Sequence, residues 1–93
     1  MTAMHVHELA DFLRGQGIGV VRVLKQTTER TGQQDAVKHV GLELEGDLDI
    51  FVTRDGTMHL RRWMPNDNEL VPIGEYAPTQ VDQLVKAIRQ ATR

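Results

Sequence analysis

The chain has no cysteine and no serine among its 93 residues. The first absence excludes disulfides, thiol catalysis and cysteine-held zinc or iron–sulfur sites, and it fits a reducing compartment. The second removes the serine nucleophile, and no Gly-x-nucleophile-x-Gly motif is built on another residue. Long apolar runs are also missing; the longest falls far below the ~20 residues of a spanning helix. The opening MTAMHVHELADF carries histidines and acids where a secretion signal carries Lys or Arg and then an apolar stretch. A cytoplasmic location, with no membrane contact, is the resulting expectation. Charge of one sign is lacking too: eleven Lys and Arg stand against thirteen Asp and Glu, for a formal net charge of −2. That balance gives no global attraction to nucleic acid. There is no Walker A sequence. Gly15-Gln16-Gly17-Ile18-Gly19 follows a helix and precedes a strand, whereas a phosphate loop needs strand then helix.

What the sequence does contain is a β-meander. The run His39 to Met64, HVGLELEGDLDIFVTRDGTMHLRRWM, alternates in three short segments separated by two glycine-bearing turns. Paired residues share a face, so register follows from loop length. A two-residue loop at Gly46-Asp47 would set Leu44 against Asp49 and mix the faces. A three-residue loop, Glu45 to Asp47, pairs Leu44 with Leu48 and Leu42 with Ile50. Likewise a loop from Arg54 to Gly56, with Gly56 left-handed in a G1 bulge, pairs Val52 with Met58 and Ile50 with Leu60.

The flanks supply the other elements. Val6, Leu9, Ala10 and Leu13 form a helical stripe within about Met4 to Arg14, ended by Gly15 and Gly17. Ile18 to Gln26 is rich in β-branched residues and reads as a strand, with Val20 and Leu24 on one side, Val21 and Val23 on the other. The polar stretch Thr27 to Asp35 reads as the longest loop. The next strands fall at about Lys38 to Glu45, with Val40, Leu42 and Leu44 inward, and at Leu48 to Thr53. Glu69 to Tyr76 suits an edge strand, since Pro72 forbids a central one. A last helix starts near Pro78 or Thr79, with Thr79 and Asp82 in a capping-box spacing and Val81, Leu84, Val85 and Ile88 inward. The expected fold is one α+β domain over residues 1–93: helix, an antiparallel meander of four or five strands, helix. Both helices cover the Val40/Leu42/Ile50/Leu60 face. This order resembles that of double-stranded-RNA-binding domains, but Thr79-Gln80-Val81-Asp82 stands where they carry lysines.

The same register defines a second sheet face. It holds Gly41, Phe51 and His59 in one row and Glu43, Asp49 and Arg61 in the next, with His39 and Trp63 towards its ends. Left uncovered, it presents Phe51, His59, Arg61, Trp63 and His39 to a partner; Trp and Arg are enriched at binding hot spots. Glu43, Glu45, Asp47 and Asp49 cluster at the first turn, in a spacing that matches no EF-hand loop, and read as a solvated face. On a helix His5 and His7 point about 200° apart, so they share no metal. His7 with Asp11 gives only two ligands. No cofactor motif is legible.

The expectation is therefore a small non-enzymatic protein-binding module, a regulator, inhibitor or adaptor, docking through a sheet face or edge strand. An edge strand also offers a route to a homodimer. The alternative is a nucleic-acid binder in which Arg54, Arg61 and Arg62 hold phosphates beside stacking aromatics.

Overall fold

A computed structural model of the chain describes residues 6–29 and 37–92, without the side chains of 24–29 and 37–39. It is an open α+β fold: α1 (Val6–Gly15), β1 (Val20–Glu29), β2 (Val37–Leu44), β3 (Leu48–Val52), β4 (Met58–Met64), β5 (Glu69–Tyr76) and α2 (Val81–Ala91). The five strands form one antiparallel sheet in sequential order, so β1 and β5 are its edges. No helix among the described residues is long and apolar enough to cross a membrane.

Both turn registers follow the expected pairing. Leu44 faces Leu48 and Leu42 faces Ile50 across the first turn, where Gly46 and Asp47 both take positive φ (84° and 61°). Val52 faces Met58 and Ile50 faces Leu60 across the second, where Gly56 has φ 88°. This turn is closed by Thr53 N–H to the Thr57 carbonyl at 3.0 Å. The hydroxyl of Thr53 and the amide of Thr57 both donate to the Asp55 carboxylate. Those bonds favour its charged form and lower its pKa from 3.8 to about 2.

The core lies between one sheet face and the two helices. Leu9 and Leu13 of α1 and Leu84 and Ile88 of α2 pack with Leu42, Leu48, Ile50 and Leu60, all at about 1% exposure or less. At about 1.5–3 kcal/mol for each large side chain removed from water, this layer dominates the folding free energy. α1 sits over β1 and β2, and α2 over β4 and β5. The end of α1 is fixed by Gly17, whose φ of 80° lets Ile18 N–H reach the Leu13 carbonyl and Gly17 N–H reach that of Arg14. This is the 6→1 and 5→2 pattern of a glycine C-cap. Arg62 donates to the Ala91 carbonyl at 2.6 Å, placing a cation on the negative end of α2.

Five expectations need correction. β1 continues to Glu29, so the polar connection to β2 begins later than Thr27; residues 30–36, Asp35 among them, lie outside the described set. Val21 and Val23 do not share a face. An irregularity between Val20 and Arg22 shifts the parity of β1, so Val23 pairs with Leu42 and packs on the core while Val21 is 60% exposed. Val40 is 42% exposed, although its cross-strand partner Val52 packs against the core. The Thr79–Asp82 capping box does not form. Gln80 is the N-cap of α2, and its side chain accepts from Ala77 N–H at 2.9 Å. Finally, α1 runs one residue further than expected, through Gly15, and of its expected start only residues from Val6 onward are described.

Candidate functional site

The sheet face away from the helices is assembled from three cross-strand rows. In the first, Gly41 pairs with Phe51, Phe51 with His59, and His59 with Glu75. In the second, Glu43 pairs with Asp49, Asp49 with Arg61, and Arg61 with Pro72. In the third, Trp63 pairs with Leu70, and Trp63 N–H donates to the Asp47 carbonyl at 2.7 Å. The first turn thereby closes over the end of β4.

The base of this face is rigid. Phe51 is 3% exposed although it does not belong to the helix-covered cluster. His59 stacks on its ring at 4.3 Å between centroids and 3° between planes, and the Arg61 guanidinium carbon lies 4.5 Å from the ring centroid. Such contacts contribute about 0.5–1.5 kcal/mol for a ring pair and a similar amount for a partly desolvated cation. Arg61 also holds Asp49 through two parallel bonds, Nε to Oδ1 and Nη2 to Oδ2, both 2.9 Å and both buried. This fork geometry satisfies both ions where water does not reach. The sequence signal for it was the cross-strand placement of Asp49 opposite Arg61. Contrary to the expectation of a solvated face, the acidic cluster is not uniformly exposed: Asp49, one of its members, is buried.

Gly41 makes the burial of Phe51 possible. A Cβ at that position would lie 2.1 Å from the Ile50 carbonyl oxygen and 2.9 Å from Phe51 Cα. Only glycine permits the two backbones to approach so closely.

Above this base the face is open, with apolar side chains set among charged ones such as Glu69 and Glu75. Trp63 is 36% exposed, Ile73 is exposed, Leu70 is half-buried, and Val21 projects from β1. Of the residues expected to meet a partner, Trp63 is thus at the surface, His59 is largely covered and lies 3.6 Å from Glu75, and Phe51 and Arg61 form the floor. The backbone of His39 pairs with Thr27 at the far end of β2; its side chain lies outside the described residues. Val21, Leu70 and Ile73 were missed. Leu70 was within reach, since the register test applied to residues 65–68 pairs Met64 with Glu69 and Trp63 with Leu70. Val21 and Ile73 were not, because both depend on strand irregularities.

The arginines of the nucleic-acid alternative are dispersed. Arg54 is exposed in the β3–β4 turn, Arg61 is buried against Asp49, and Arg62 lies on the opposite face with its guanidinium on α2. Among the described residues, no group of three or more His, Asp or Glu is placed to hold a metal ion. No protein-family model, curated protein or solved structure matches the chain.

Proposed function

We propose that this chain is a non-enzymatic protein-binding module whose docking surface is the sheet face opposite the helices. The observation that carries the reading is the contrast within that face. A fixed floor of Phe51, His59, Asp49 and Arg61 supports an exposed Trp63, with Leu70 and Ile73 on one side and Val21 on the other. An aromatic anchor on a preorganised surface lowers the ordering cost of association, and tryptophan is among the residues most enriched at binding hot spots. The edge strands β1 and β5 flank the same face and extend the area a partner can cover. The dispersal of Arg54, Arg61 and Arg62 offers no comparable support for phosphate binding.

Photo-crosslinking tests the proposal. A benzophenone side chain replacing Val21 or Ile73 should give a discrete protein adduct in host extract. The same group replacing Glu8 on α1 or Asp82 on α2 should not. Trp63→Ala should abolish the adduct while the fold persists by circular dichroism. Equal crosslinking from the helix positions, or an adduct untouched by Trp63→Ala, would refute the assignment.

A further inference from the structure

A groove of about 500 Å³ opens at the Trp63 end of this face, beside the first turn. Val21, Trp63 and Leu70 supply apolar walls, and the acidic residues Glu43, Glu45, Asp47 and Asp49 line it as well, the Glu45 carboxylate resting against Gly19. Among the described residues that line it there is no Lys, Arg or His. Two of the four acids have partners: Asp49 is held by Arg61, and Glu43 lies 3.7 Å from Arg22. The carboxylates of Glu45 and Asp47 are exposed and enter no ion pair or hydrogen bond among the described residues.

An apolar wall beside the Glu45 and Asp47 carboxylates, which pair with no cation among the described residues, selects for a side chain with an apolar stem and a cationic head. A guanidinium or ammonium group is attracted to the face of an indole, and a guanidinium can bond a carboxylate through two parallel hydrogen bonds. A neutral or acidic segment covering the groove would desolvate the same carboxylates without compensation. We infer that the groove receives an arginine or lysine from a basic segment of the partner protein. This assignment rests on the docking reading above and names the chemistry of the partner.

The groove can be neutralised without rebuilding it. Asp47 occupies a left-handed conformation that asparagine also tolerates, and Glu45 is exposed. The double variant Glu45→Gln/Asp47→Asn therefore removes two charges and keeps the turn. Trp63 is the only tryptophan of the chain, so its emission reports on the groove.

The experiment titrates the protein with three synthetic peptides. One carries several arginines among leucines, one has glutamine in place of every arginine, and one has glutamate there. The arginine peptide should shift Trp63 emission saturably. Its affinity should fall about ten-fold in the double variant and should weaken as salt rises. The glutamine and glutamate peptides should leave the emission unchanged. No saturable response to the arginine peptide, an equal response to the glutamine peptide, or unchanged affinity in the double variant would each overturn the inference. If a partner crosslinked at Val21 binds Glu45→Gln/Asp47→Asn as tightly as the parent, the docking face stands and its cationic selectivity falls.

Discussion

The two faces of this sheet bury side chains by different means. On the helix-covered face Leu42, Ile50 and Leu60 are sealed by Leu9, Leu13, Leu84 and Ile88, with no polar partner required. On the other face Phe51 and Asp49 reach nearly the same burial under a histidine and an arginine. The first arrangement is apolar and tolerant of conservative exchange. The second depends on geometry, since each charged member is buried with its counterpart. Helices must cover the first face for the chain to fold. Ring stacking and a fork-shaped ion pair let the second face be rigid while it stays open. An open and rigid surface is what a docking face requires.

The largest effect should come from splitting the ion pair. Arg61→Met leaves Asp49 charged and buried, at a cost of about 3–5 kcal/mol in denaturant unfolding. Asp49→Leu/Arg61→Met removes both charges and should recover most of that loss, because an apolar pair can replace a buried ionic one. If the double variant is as unstable as the single, the pair is not the source of the effect. On the covered face Ile50→Ala should cost about 2–5 kcal/mol through cavity formation. That corresponds to a thermal midpoint lowered by roughly 4–8 °C for each kcal/mol.

Gly41→Ala comes next. The added methyl meets backbone rather than a movable side chain, so overpacking of about 1–3 kcal/mol is expected. Near-parent stability would show that β2 and β3 can separate there at little cost. Trp63→Ala should lower stability by only about 1 kcal/mol, since the side chain is partly exposed and lies outside the core cluster. A loss matching that of Ile50→Ala would place Trp63 among the folding residues and erase the contrast between the faces.

The smallest effect concerns the β3–β4 turn. The folded pKa of Asp55, about 2, lies below its ordinary 3.8. Its contribution is therefore present above about pH 4 and is lost as the pH falls through 2. Denaturation midpoints measured between pH 4 and 2 should decline less in Asp55→Asn than in the parent. Identical slopes would mean that the Thr53 and Thr57 bonds do not persist in solution.

Much of this fold was legible in the sequence because hydrophobic parity is strict. Leu44, Leu48, Ile50 and Leu60 reach one face only if both turns have three residues, and both do. The helical stripes were equally readable, because Val6, Leu9, Ala10 and Leu13 recur at helical spacing and are all buried. Irregular strands were not. The offset at Val21 and the bulge opposite Leu60 and Arg61 depend on how the edge strands meet the twisted sheet, which no local pattern records. The floor of the open face was half legible. Register placed Phe51, His59, Asp49 and Arg61 together, while the stacking and the burial of the ion pair arise from three-dimensional packing that register does not specify. The groove beside the first turn stayed hidden because Leu70 and Val21 come from opposite edges of the sheet.

Backbone amide NMR with the arginine-bearing peptide reads which face of the sheet is engaged. Saturable shift changes are expected at Val21, Glu45, Asp47, Trp63 and Leu70, with Leu9, Leu13, Leu84 and Ile88 unmoved. Changes concentrated on the two helices, or none at any peptide concentration, would contradict docking on the open face.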